Sequence, residues 1–77
     1  MPTLLRWNGY RFYFFSNEGY EPPHVHIDRD ECSAKFWLSP VALGRNYGFN
    51  DSEIRVLSNK VIQEQQRFLE AWHAFFP

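Results

Sequence analysis

Apolar and polar positions alternate with a period of two through the first half of the chain and shift to a helical period in its last third. The runs TLLRW (3–7) and YRFYFF (10–15) flank Asn8-Gly9, the dipeptide best suited to a type I′ turn, and predict a hairpin. The stretch SNEGYEPP (16–23) is dense in turn formers, so the chain leaves the sheet there. Pro22 and Pro23 withhold two amide donors, which places them outside a central ladder and just ahead of a strand; either bond admits the cis form. A second hairpin follows, with strands at 24–29 and 33–39 around Asp30-Glu31. PVALGRNYGFND then carries Pro40, Gly44, Asn46, Gly48 and Asn50, and reads as a crossover loop of about a dozen residues, long for a compact domain.

From 51 to 75 the pattern is helical. Asn50 with Glu53 fits a capping box, and Asp51 and Glu53 put negative charge where the helix dipole favours it. Ile54, Leu57, Val61, Phe68, Leu69, Trp72, Phe75 and Phe76 form an apolar stripe interrupted by Gln65. One helix of this length would span about 35–39 Å, more than a four-stranded sheet is wide, so its AWHAFF end is expected to pass beyond the sheet toward a partner. The predicted architecture is a single α+β domain, four antiparallel strands packed on one long C-terminal helix.

A sheet covered on one face has another to spare. Matching the apolar phases puts Phe12, Phe14, Val25, Ile27, Ala34, Phe36 and Leu38 beneath the helix. The opposite face then carries Arg11, Tyr13, Phe15, His24, His26, Asp28, Lys35 and Trp37, and is expected to be open to water. That assignment depends on the phase, because a slip of one residue would bury both imidazoles.

Composition sharpens this picture. Fifteen aromatic residues, eight Phe, four Tyr and three Trp, exceed what one small core holds, so some rings belong to a surface that meets partners. A net charge of −1 argues against a wholly basic nucleic-acid-binding surface while leaving room for local basic patches. Cys32, the single cysteine, cannot close an internal disulfide and reads as a small, buried or half-buried side chain. With no signal-peptide pattern and no apolar run of membrane-spanning length, the expected setting is cytoplasmic, with no membrane partner.

Several chemistries fit the face. His24 and His26, about 6.5–7 Å apart along a strand, continue to Asp28 and could contribute to a site for zinc or another transition metal. Further candidates, His73, Asp30, Glu18 and Cys32, stand at no diagnostic spacing, so no cofactor is assigned and metal is the alternative reading. Imidazoles beside Arg11 and Lys35 could also perform metal-independent, ribonuclease-like acid–base chemistry, which makes His24, His26, Arg11 and Lys35 the catalytic candidates. Tyr13, Phe15 and Trp37 would stack RNA bases, with Arg6 and Arg45 as additional phosphate contacts; Asp28, Asp30 and Glu31 oppose this. The same face, Arg11, Tyr13, Phe15, His24, His26, Lys35 and Trp37, equally suits a protein partner or a homodimer. Alternatively, the histidines are hydrogen-bonded strand residues that fix the Pro-Pro turn. His73, near the end of the helix, reads as solvated, and Trp72 as core.

The segments MPTLLRWNGYRFYFFSNE, EPPHVHI, AKFWLSPVALGRNYGF and FLEAWHAFF resemble the small prokaryotic family catalogued as domain of unknown function 4160, across essentially the whole chain. The most specific points of likeness are Pro22-Pro23-His24-x-His26 and Glu70-Ala71-Trp72. That family has no established activity, and the resemblance implies a cytoplasmic protein. It also implies a gene placed beside that of another small protein, as in toxin–antitoxin pairs, and hence a cognate protein partner.

Overall fold

The computed structural model describes residues 3–77. Five strands, β1 (Thr3–Trp7), β2 (Tyr10–Tyr13), β3 (His24–Arg29), β4 (Cys32–Leu38) and β5 (Val41–Tyr47), form one antiparallel sheet in sequence order. Two helices follow, α1 (Asp51–Gln63) and α2 (Gln65–Phe75). No helix among the described residues is long and apolar enough to cross a membrane.

The β1–β2 turn is built as its dipeptide requires, with positive φ at both Asn8 (51°) and Gly9 (82°). Asp30 takes φ 53° in the turn that joins β3 to β4. The expected inward set is buried: Phe12, Val25, Ile27, Ala34, Phe36 and Leu38 meet Leu57, Val61 and Phe68 of the helices, and Phe14 packs against Trp72. The Asn50 side chain accepts the Glu53 amide, which caps α1. The return bond of a capping box is absent, because the Glu53 carboxylate instead takes the Tyr10 hydroxyl and the Arg29 guanidinium, fastening α1 to β2 and β3.

Four expectations are corrected. The segment read as a loop is mostly strand: β5 pairs with β4 from Ser33↔Tyr47 to Leu38↔Val41, with a register shift between Lys35 and Phe36. Gly44 accounts for the misreading. It sits opposite that shift, where a Cβ would lie 3.0 Å from Trp37 Nε1, so the turn-forming residue serves a bulge. Asn46 then brackets Phe49, taking its amide and donating to its carbonyl, which shortens the crossover to a tight turn.

The helix is broken at Glu64 (φ −99°, ψ 10°), where the Gln65 amide donates to the Leu38 carbonyl of the sheet at 2.6 Å. The polar interruption of the apolar stripe is thus a tether. The C-terminal end, expected to reach toward a partner, packs back on its own domain. The chain's longest dimension is 34 Å, and Phe75 and Phe76 turn back onto Phe14, their ring centroids 5.5 and 5.4 Å away. Finally, the one cis bond among the described residues is Ser39–Pro40, so Pro22 and Pro23 follow trans bonds.

Candidate functional site

Strand register sets the site. Arg11↔Asp28 and Tyr13↔His26, then His24↔Trp37, His26↔Lys35 and Asp28↔Ser33, put all these side chains on the face opposite the helices, in the phase read from the sequence. That face is not open, however. His24 is 0% exposed, Tyr13 5% and Lys35 9%. The cover comes from Phe14–Pro23, which folds back so that Glu18 and Glu21 reach onto the face, and from Trp72, whose ring lies 4.9 Å from that of His24. Gly19 lets this segment close down: a Cβ there would stand 2.5 Å from Phe76 Cδ1.

One end of the face is fully matched. The Tyr13 hydroxyl donates to Asp28 Oδ2 at 2.9 Å and the Ser33 hydroxyl to Oδ1 at 2.7 Å, so both oxygens of Asp28 are occupied. Burial and the Asp28 carboxylate push the Tyr13 hydroxyl up to about 12. Arg11 lies 4.6 Å over the Tyr13 ring and donates to Thr3 Oγ1. In the middle, Lys35 donates to Glu21 at 2.6 Å and lies 4.4 Å over Trp37; that bond holds the Glu21 carboxyl below its usual range. Asp28 is therefore not placed with the histidines as a ligand, and Arg11 and Lys35 are both engaged.

At the other end the matching fails. Glu18 replaces Asp28 as the carboxylate of the histidine pair, and the ligating atoms of Glu18, His24 and His26 all lie within 4.8 Å of one another. The turn positions Glu18: its amide donates to the Phe15 carbonyl, and its Oε1 accepts the Phe15 amide at 2.9 Å. Burial works to raise the Glu18 pKa, but the Phe15 amide and then His26 outweigh it and hold the carboxyl low.

His26 Nε2 stands 3.0 Å from both carboxylate oxygens. The Pro22 carbonyl can only accept, so the His24 Nδ1 that meets it at 3.0 Å carries a proton. Its Nε2 faces Glu18 Oε1 at 3.0 Å but off the line that a hydrogen bond needs, and is left buried without a hydrogen-bond partner. A buried polar atom in this state is uncommon and calls for an explanation.

The expected residues thus separate. His24 and His26 converge on Glu18, with Phe15 edge-on to His26 at 5.0 Å, whereas Arg11, Tyr13 and Asp28 form a group of their own. Trp37 flanks His24 at 5.7 Å and also lines a groove of about 260 Å³ with Pro22, Pro23, Ser39, Pro40 and Ala42. Of the residues read as solvated or inert, His73 is exposed on the last turn of α2 and Cys32 is half-buried.

The two most specific sequence runs meet here, since Trp72 packs on His24. The family model described as domain of unknown function (DUF4160) matches residues 9–73, nearly the whole chain. The chain belongs to this family. No curated protein and no solved structure matches it.

In this DUF4160 chain, sequence spacing did not single out two features. Glu18 lies in a turn whose path is set by Gly19 and Phe76, with no periodicity to reveal it. The other is the β5 edge. Six of its seven residues are exposed, among them Leu43 (45%) and Tyr47 (61%), and its outer side is unpaired. The β1 edge differs: Arg67 donates to the Leu4 carbonyl, and Trp7 is packed between Tyr10 and Lys60.

Proposed function

We propose that this protein is an interaction module, one component of a toxin–antitoxin-like pair, and that its cognate small partner adds a strand along β5. The observation that carries this reading is the long, uncovered β5 edge. Natural sheets blunt such edges unless another strand pairs with them, because the free amides and carbonyls template association. The apolar groove beside Pro40 and Ala42 would accept a side chain from the incoming strand. Arg45 makes no ion pair among the described residues, which favours a strand bearing a carboxylate over a second copy of β5, whose own charged residue is also Arg45. RNA is less favoured. Tyr13 is buried and Lys35 is paired with Glu21, leaving Phe15 as the exposed ring of the expected stacking set.

Co-expression with the product of the adjacent gene should give one co-purifying complex. Arg45→Glu with Tyr47→Lys should weaken that complex at least about tenfold without lowering the melting temperature of the free protein, since surface changes of this kind are close to neutral. A free monomer that persists in the presence of the neighbour, or a complex indifferent to these changes, overturns the proposal.

A further inference from the structure

We propose that Glu18, His24 and His26 form a binding site for one divalent transition-metal ion, with zinc the best match to their donors. Two imidazole nitrogens and a carboxylate are a standard three-ligand set that leaves a further position for water. Geometry supports it. Bonds of about 2.0–2.1 Å in a tetrahedron put neighbouring ligand atoms about 3.3 Å apart. Both histidine Nε2 atoms already stand 3.0 Å from Glu18 oxygens, and the whole set lies within 4.8 Å, so closing it needs a movement of about 1.5 Å.

The decisive feature is His24 Nε2. With Nδ1 protonated toward the Pro22 carbonyl, the neutral ring presents a lone pair to a carboxylate, and no donor meets it. Protonating Nε2 would give an ion pair with Glu18 at 3.0 Å but not a hydrogen bond, because the added N–H would not point along the line to the carboxylate oxygen. A cation between the rings and the carboxylate satisfies all three groups at once. The bond from Nδ1 to a backbone carbonyl is also the outer contact that metal-bound histidines characteristically make, fixing the tautomer and the ring orientation.

Asp28 cannot serve as the third ligand, its oxygens being held by Tyr13 and Ser33. The side chains of His26 and Glu18 keep 15% and 13% of their surface, which gives an ion a way in. Bound metal would fasten the Phe14–Pro23 segment to β3. This inference does not depend on a partner at β5, and either can fail alone.

The test uses the full chain without a histidine tag, stripped with EDTA and titrated with Zn(II) against a competing chelator. One equivalent per chain should bind, and zinc at a hundredfold excess over Kd should raise the melting temperature by about 10 °C or more. Glu18→Gln and His26→Gln should each weaken binding by about a hundredfold or more, beyond the usual cost of losing an outer contact. These two are chosen because they are partly exposed, whereas a fully buried His24 variant could simply unfold. Asp28→Asn and His73→Gln should leave the affinity unchanged. Absence of a stoichiometric site, or binding that survives in both Glu18→Gln and His26→Gln, overturns the inference.

Discussion

The two ends of one sheet face are made from similar parts and behave differently. At the Asp28 end a carboxylate meets Tyr13 and Ser33, and each of its oxygens has a hydroxyl donor. At the Glu18 end a carboxylate meets His24 and His26, and one buried nitrogen is left without a partner. Matched groups of the first kind hold a sheet together and need nothing from outside. The second kind is stable only if something else offsets the unmatched atom, and the convergence of three ligating groups says what that could be. Polar groups facing one another do not mark a site by themselves; the mismatch among them does.

The sharpest break in this comparison should come from His24→Ala. It removes a ring packed against Trp72, Trp37 and His26 and orphans the Pro22 carbonyl, for a loss of about 3 kcal/mol. Thermal denaturation of the metal-free protein should show a melting temperature more than about 10 °C lower. A fall no larger than that of Tyr13→Phe would mean that the two ends are alike.

Tyr13→Phe at the matched end should cost about 1 kcal/mol, the ordinary worth of one hydrogen bond. It should also change the alkaline limb of the stability profile. Tyr13 titrates at about 12 when folded against 10.0 when unfolded, so between those values the unfolded chain has released the proton and the folded one retains it. Its contribution is complete below pH 10 and is lost as pH rises toward about 12. Denaturant midpoints measured from pH 9 to 12 should therefore fall less steeply for Tyr13→Phe than for the wild type. Equal slopes would mean that burial and Asp28 do not hold the Tyr13 hydroxyl protonated in the folded chain.

The smallest effect is expected at Phe15, which is 39% exposed at the rim of the Glu18 end. Phe15→Ala should move stability by no more than about 0.5–1 kcal/mol in chemical denaturation, because its edge contacts with Tyr13 and His26 are made in partial solvent. A loss comparable to that of His24→Ala would show that the rim, not the buried ring, carries this end.

Much of this architecture was readable from local chemistry. Asn8-Gly9 specified its turn, Asn50 its cap, and the alternation in β2, β3 and β4 fixed which side each residue faces, because one wrong phase would have buried charge and exposed seven apolar side chains. What escaped depended on contacts between distant segments. Gly44 and Asn46 look like loop residues until β4 is beside them, and Gln65 looks like a flaw in the stripe until the Leu38 carbonyl is within its reach. Glu18 was the most obscure. Its place over the histidines follows from a turn without periodicity, pinned by Phe76 and covered by Trp72, both more than fifty residues away in the chain.

The central claim is that the Glu18 end binds a cation, and side-chain nitrogen NMR of the two imidazoles tests it most directly. On adding one equivalent of Zn(II) to tag-free, EDTA-stripped protein, the Nε2 resonances of both His24 and His26 should move to metal-bound positions in slow exchange, while His24 Nδ1 keeps its proton. If zinc leaves both Nε2 resonances in place, or shifts only His73, the end is an ion-paired strand terminus and the account is wrong.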